Sequence, residues 1–471
     1  MLDAVIDAIT PDGDTKREAA AADTLQSYDP HRIASREQLI GMLGEAAEVE
    51  HNLMLTYLYA AFSLKRTEEE GLTPEQVEAL ADWRATTIRI AVEEMGHLAI
   101  VCNLLCAVGG APHFGRLNFP IAPGPLPAEM SVRLRRFDMD TLDHFIFLER
   151  PEGSDAEDSE PFRSERDYHR APLQQSHLMP VAMDYPTVGA LYDRIVEMME
   201  ILCERYGEDD LFVGDATRQV GPELTPLPGL RTVTCLKSAI EAIDTIKEQG
   251  EGSDADAENS HFKRFCAMRG EYEKFLEEDP GFDPARPVAE NPVMRSPPTP
   301  DGKVWVTAPD AAVLMDWCNA LYIHMLRLLA QTFGRPGPAH EKRVLLNAAT
   351  DLMYAMTPAA EAMTHLPAVA NGSTDCTAGM SFATVRDAAP LPTGTEWRVI
   401  ICRFKEIGDA SHAVEALSKD GMGDGPAASA RMVRSIADTF VREAVAILET
   451  CEGDEHCGDR SDMAEFVEAA K

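Results

Sequence analysis

The stretch VEEMGHLAIV, Val92–Val101, decides the fold. At about 100° per residue, Ile90, Glu94, His97, Val101, Leu104 and Val108 share one stripe of a helix. Glu94 and His97 therefore point at the same interior as four aliphatic side chains. An ionised carboxylate in an apolar core is strongly unfavourable unless something compensates it. The helix starts with Thr73 as N-cap and Pro74 in its first turn, and Gly109–Gly110 stop it.

Upstream, the Ser35-Arg-Glu-Gln38 segment fits a capping box. Leu39, Leu43, Ala46, Leu53, Tyr57, Ala60 and Leu64 then recur at three- and four-residue steps. Glu50 falls on that inner face between Ala46 and Leu53, while Glu48 points away and His51 lies off the stripe as a surface or supporting residue. Downstream, Glu258, His261, Phe265, Met268 and Tyr272 form another stripe, on a helix expected from about Glu258 to Glu277. A second Glu-x-x-His thus faces inward.

Three inward Glu and two inward His, without matching Arg or Lys, call for a cation. Two Glu-x-x-His helices plus one Glu from each of two others is the di-iron or di-manganese carboxylate pattern of four-helix bundles. The mixed oxygen and nitrogen set suits two irons, or an iron–manganese pair, better than zinc. The fourth helix has two candidates. On the one from Thr187 to Tyr206, Glu197, Glu200 and Glu204 oppose the apolar stripe and read as a solvated face. On the one from Thr232 to Gln249, Glu251 continues the stripe of Leu236, Ile240 and Ile243, so Glu251 is chosen, although Lys247 shares that stripe.

Around this nucleus the chain reads as all-α, with no strand alternation and no internal repeat. Residues 1–32 read as an arm, 33–279 as the bundle with an insertion at about 110–186, 280–302 as a Pro-rich linker, and 303–471 as a C-terminal helical region. Asp and Glu number 79 against 43 Lys and Arg, a formal charge of -36, which repels nucleic acid and anionic membranes. No apolar run is expected to cross a bilayer, and no basic-then-apolar leader opens the chain, so the expected compartment is the cytoplasm. The ten Cys carry no CxxC and read as reduced thiols, with Cys451 and Cys457 a local alternative pair. Cys102 and Cys106 sit one turn apart and read as buried thiols; His113 and His144 read as structural.

With these residues in hand, the chain resembles the ferritin-like family of iminophenyl-pyruvate dimer synthase domains. That family is related to the enzymes that join two amino-acid-derived imines in violacein and rebeccamycin biosynthesis. The resembling segments include EVEHNLMLTYLYAAFSLK, EEMGHLAIVCNLLCAVGGAPHF, FIFLERPEG, AIDTIKEQGEG, SHFKRF and TAGMSF. The resemblance implies a ferritin-like bundle and metal ligands at Glu50, Glu94, His97, Glu258 and His261, and it supports Glu251. Many members of the family it resembles carry an acidic residue where this chain has Ala190; if that acid is a ligand or base in them, this chain has lost it.

The expected function is an oxidoreductase whose di-iron centre works with O₂ on a small, amino-acid-derived substrate. The alternatives are iron handling by a ferroxidase and a metal-stabilised scaffold without catalysis. Haem is disfavoured, since no CxxCH is present. The insertion and the C-terminal helices either wall a substrate pocket or form a homodimer surface. No general base can be named, because every inward acid is assigned to metal.

Overall fold

Ser35 caps the first helix, α1 (Arg36–Ser63), by accepting the Gln38 amide N–H. The reciprocal half of the expected box does not form. The Gln38 side chain instead pairs with both backbone groups of Val181, at 3.0 and 2.7 Å, and ties the inserted segment to α1. A complete box does open α2 (Pro74–Ala107), where Thr73 and Gln76 exchange bonds. The computed structural model describes residues 34–122, 124–126, 130–163, 170, 179–250, 259–300, 302–370, 375–417 and 424–450. The arm at 1–32 and the Cys451–Cys457 pair lie outside them.

Among the described residues, four further helices of ten residues or more belong to the first half: α3 (Met139–Leu148), α4 (Val188–Tyr206), α5 (Leu236–Gly250) and α6 (His261–Glu278). α1 packs along α2 and also touches α4; α6 packs on α3 and α2, and α5 reaches α2, α4 and α6. On α4 the expected stripe is buried through Leu191, Ile195, Met198 and Leu202. The second half contains α7 (Pro309–Gly334), α8 (Ala339–Met363), α9 (Glu396–Leu417) and α10 (Gly425–Thr450), which pack on one another. α7 and α8 dock on α2 and α1, so one hydrophobic core runs through both halves. Among the described residues the only sheet is a parallel pair of two-residue strands, β1 (Pro292–Val293) and β2 (Val304–Trp305).

The Pro-rich segment read as a linker is itself packed. Its backbone bonds to Ser63 and Lys65 near the end of α1, to Leu134, and to Thr377. Arg286 is buried and reaches Glu70 through Nε at 2.6 Å. Proline-rich backbone needs few partners of its own, and here its remaining donors and acceptors are satisfied by neighbours.

Two expectations need correction. By length and composition α2 is long and apolar enough to cross a membrane, contrary to the reading that no run is. The same window is 83% buried inside the protein, which explains its apolar character: α2 is the central helix, covered on most sides. Second, α6 begins at His261, not Glu258. Ser260 is its N-cap, with extended backbone (φ -68°, ψ 159°) and its side chain accepting from the Lys263 amide. Behind a Ser260 cap, helical spacing is no longer the argument for pairing Glu258 with His261; Glu258 itself lies outside the described residues, as does Glu251.

Candidate metal centre

Six helices converge on one buried cluster. α1 brings Glu50, α2 brings Glu94 and His97, and α6 brings His261 at its first turn. A fifth group, Glu149, comes from the C-cap of α3. The ligand atoms form two triads, each within 4.8 Å: Glu50, Glu94 and His97 in one, and Glu94, Glu149 and His261 in the other. Glu94 belongs to both. Its Oε2 lies 2.9 Å from His97 Nδ1 and its Oε1 lies 2.8 Å from His261 Nδ1. The two imidazole rings are 5.6 Å apart.

Both imidazoles turn Nδ1 inward and use Nε2 to anchor themselves. His97 Nε2–H donates to Gln249 Oε1 at 2.8 Å, and His261 Nε2–H donates to Glu93 Oε2 at 2.8 Å. Arg264 in turn pairs with Glu93. Outer partners of this kind fix the tautomer and ring plane of metal-binding histidines. The carboxylates are held similarly: the Tyr57 hydroxyl donates to Glu149 Oε1 at 2.5 Å, and Tyr192 donates to Glu50. α4 and α5, the two rivals for the fourth helix, thus both reach the site, through Tyr192 and Gln249.

Three carboxylates face two imidazoles in a place closed to solvent. Burial, and then the neighbouring Glu94, push Glu50 up to about 8. Burial also opposes ionisation of Glu94, but His97 and His261 outweigh it and hold Glu94 well below the carboxylate range. Burial opposes charge on His97, yet Glu94 and Glu50 push it up to about 10. Glu149 and Glu94 likewise hold His261 well above its ordinary value against the cost of burial. With protein groups alone, the cluster is neutral only by sharing protons.

The donor set fits a metal pair. His261 Nδ1 is buried and makes no hydrogen bond of normal geometry, although Glu94 Oε1 is 2.8 Å away. A cavity of about 20 Å³ lies beside Glu50, Glu94, His97 and Glu149, room for about one water-sized group. Tyr192, Lys247 and Gly250 also line it. A Cβ at Gly250 would lie 3.3 Å from Glu149 Oε2, so the bare backbone there leaves the carboxylate its space.

The structure brings the sequence candidates Glu50, Glu94, His97 and His261 together at one point, beside Glu149, which sequence reasoning did not name. The signal was present: Glu149 continues the inner face of α3 one turn after the buried Phe145. His51, read as peripheral, is fully buried and faces the C-terminal helices, with Tyr322 2.7 Å from its Nε2. Ala190 does not line the small cavity; its neighbours Gly189 and Tyr192 do. His113 pairs with Glu48, and His144 bonds Asp158 and stacks on Phe162, both structural.

A helical bundle enclosing a shared-carboxylate cluster defines a class, the ferritin-like proteins. The family model described as ferritin-like matches residues 43–270, and that part of the chain is ferritin-like. Dichlorochromopyrrolate synthase of Lentzea aerocolonigenes is 30% identical over 420 residues, covering 80% of this chain and 39% of that protein. The 2-imino-3-(indol-3-yl)propanoate dimerase of Chromobacterium violaceum is 30% identical over 372 residues, covering 73% of this chain and 34% of that protein. The chain therefore spans between a third and two fifths of the length of these relatives. A solved ferritin-like protein from Caulobacter vibrioides aligns at 18% identity over 66% of this chain and 93% of that one, with a TM-score of 0.38.

Proposed function

We propose that the chain is a non-haem di-iron oxidoreductase that uses O₂ to act on a small substrate derived from an amino acid, of the 2-imino acid kind. The observation that carries this reading is Glu94, a single buried carboxylate shared by two triads that each end in a different imidazole. One triad would hold one metal and the other its neighbour, with Glu94 bridging. Glu251 and Glu258 remain candidate ligands beside the five described groups. The relatives' names supply the substrate class: one dimerises a 2-imino acid, and the other is a chromopyrrolate synthase.

Two irons there would supply the electrons that reduce O₂. The protein's share is positional and electrostatic. Gln249 and the Glu93–Arg264 pair fix the two imidazoles, and Tyr57 and Tyr192 fix Glu149 and Glu50. Closure of the cluster keeps bulk water from the reacting atoms. At the edge of the small cavity, Lys247 is partly exposed and bonds Asp193 at 2.5 Å.

The test is O₂ uptake by the iron-loaded protein, with 2-imino acids formed from 2-oxo acids and ammonium. The reading expects uptake that depends on the imino acid and is lost in Glu94→Gln. Uptake in proportion to added ferrous iron, indifferent to any organic substrate, would favour iron handling instead.

A further inference from the structure

On the far side of α1 and α2 from the carboxylates lies a second, larger space. It is a chamber of about 210 Å³ between these two helices and α7 and α8. Among the described residues, no Asp, Glu, Lys or Arg lines it. Six of the lining side chains are methionines: Met54, Met95, Met325, Met353, Met356 and Met380. Thioether side chains adapt to the shape of what they enclose and favour aromatic partners. Of its lining residues Tyr354 is 67% exposed, whereas His51 and Tyr322 are buried.

The closed end is polar and ordered. Arg116, a donor only, gives its Nε–H to the Tyr322 oxygen at 3.1 Å. Tyr322 then gives its O–H to His51 Nε2 at 2.7 Å. This order puts the ring hydrogen of His51 on Nδ1, beside the Phe114 backbone but outside hydrogen-bond geometry. Arg116 also grips the carbonyl of Phe382, a wall residue with a left-handed φ of 46°. Non-glycine backbone of that kind persists only where the surroundings over-determine it.

We propose that this chamber binds an uncharged one- or two-ring aromatic molecule, with an acceptor group of the ligand meeting the His51–Tyr322 end. A dry apolar cavity of about 150 Å³ is known to hold benzene, so the larger space here accommodates a fused pair of rings. A charged ligand would lose its hydration with no counter-charge in the wall. The proposal does not depend on whether the carboxylate cluster takes up metal.

The probe is 2-naphthol, with 2-naphthoate as its charged counterpart, followed by titration calorimetry on the full chain with and without added iron. Saturable binding of 2-naphthol is expected, with 2-naphthoate at least tenfold weaker. Ala360→Phe, which fills the chamber from α8, should weaken 2-naphthol at least tenfold. In the wild-type protein, labelled methionine methyl groups report the site directly: the six lining methionines should shift, and the others should not. Absence of binding, equal binding of the two probes, or methyl shifts confined to other methionines would overturn the proposal, whether or not Ala360→Phe folds.

Discussion

Replacing Glu94 by Gln separates this account from any reading in which the acids act independently. Glu94 touches both imidazoles, at 2.9 and 2.8 Å, and is the only residue common to the two triads. The substitution keeps the shape and removes the charge. In protein without added metal, two buried imidazoles lose their shared counter-charge. Removing one partner of a buried ion pair costs about 3–5 kcal/mol, so chemical denaturation should show a loss of that order. The metal effect is sharper. Glu50→Gln and Glu149→Gln each touch one triad and should each leave about one tightly held iron per chain. Glu94→Gln touches both and should leave none. Elemental analysis after anaerobic loading and desalting measures all three. If Glu94→Gln kept one iron, or if all three variants lost iron equally, the shared-carboxylate geometry would be wrong.

Three further outcomes follow from the same contacts. Gln249→Leu removes the acceptor for His97 Nε2–H and should weaken iron binding about 10–100-fold while leaving the ligand count intact, as equilibrium titration would show. His97 is pushed up to about 10 and His261 is also raised, so both imidazoles carry protons at neutral pH that a metal must displace; iron uptake in weak buffer should release protons, and a pH indicator showing none would contradict this. On α7, burial presses His324 down to about 3, and neither ring nitrogen has a hydrogen-bond partner among the described residues. Its folded value is depressed below the unfolded 6.5, so the stability it contributes is full above that pH and is lost as pH falls toward 3. From pH 6.5 to 5 the wild type should lose about 2 kcal/mol that His324→Phe does not lose, read as the difference between their denaturation curves.

Much of the centre was legible because helices repeat. Glu50, Glu94 and His97 lie deep inside long helices where 3.6-residue periodicity is undisturbed, and the stripe alone aimed them inward. The reading weakened where helices end. Glu149 caps α3 beyond its last helical residue, so finding it required carrying the inner face one turn past Phe145, and α6 starts at His261 behind its Ser260 cap, while Glu258 lies outside the described residues. His51 was misjudged for another reason. A stripe shows which face of α1 meets its bundle partners, not that α7 and α8 will cover the opposite face. The Pro-rich segment was read from composition as a spacer, and only its long-range bonds to α1 and Thr377 reveal it as packed structure.

The most direct test of the central claim is X-ray absorption at the iron edge, with the iron count, on wild-type protein loaded without oxygen. The account predicts about two irons per chain, nitrogen and oxygen ligands, and an iron–iron separation of about 3.5–4 Å. Iron that does not bind in stoichiometric amount, or a single isolated ion with no metal neighbour, would contradict it.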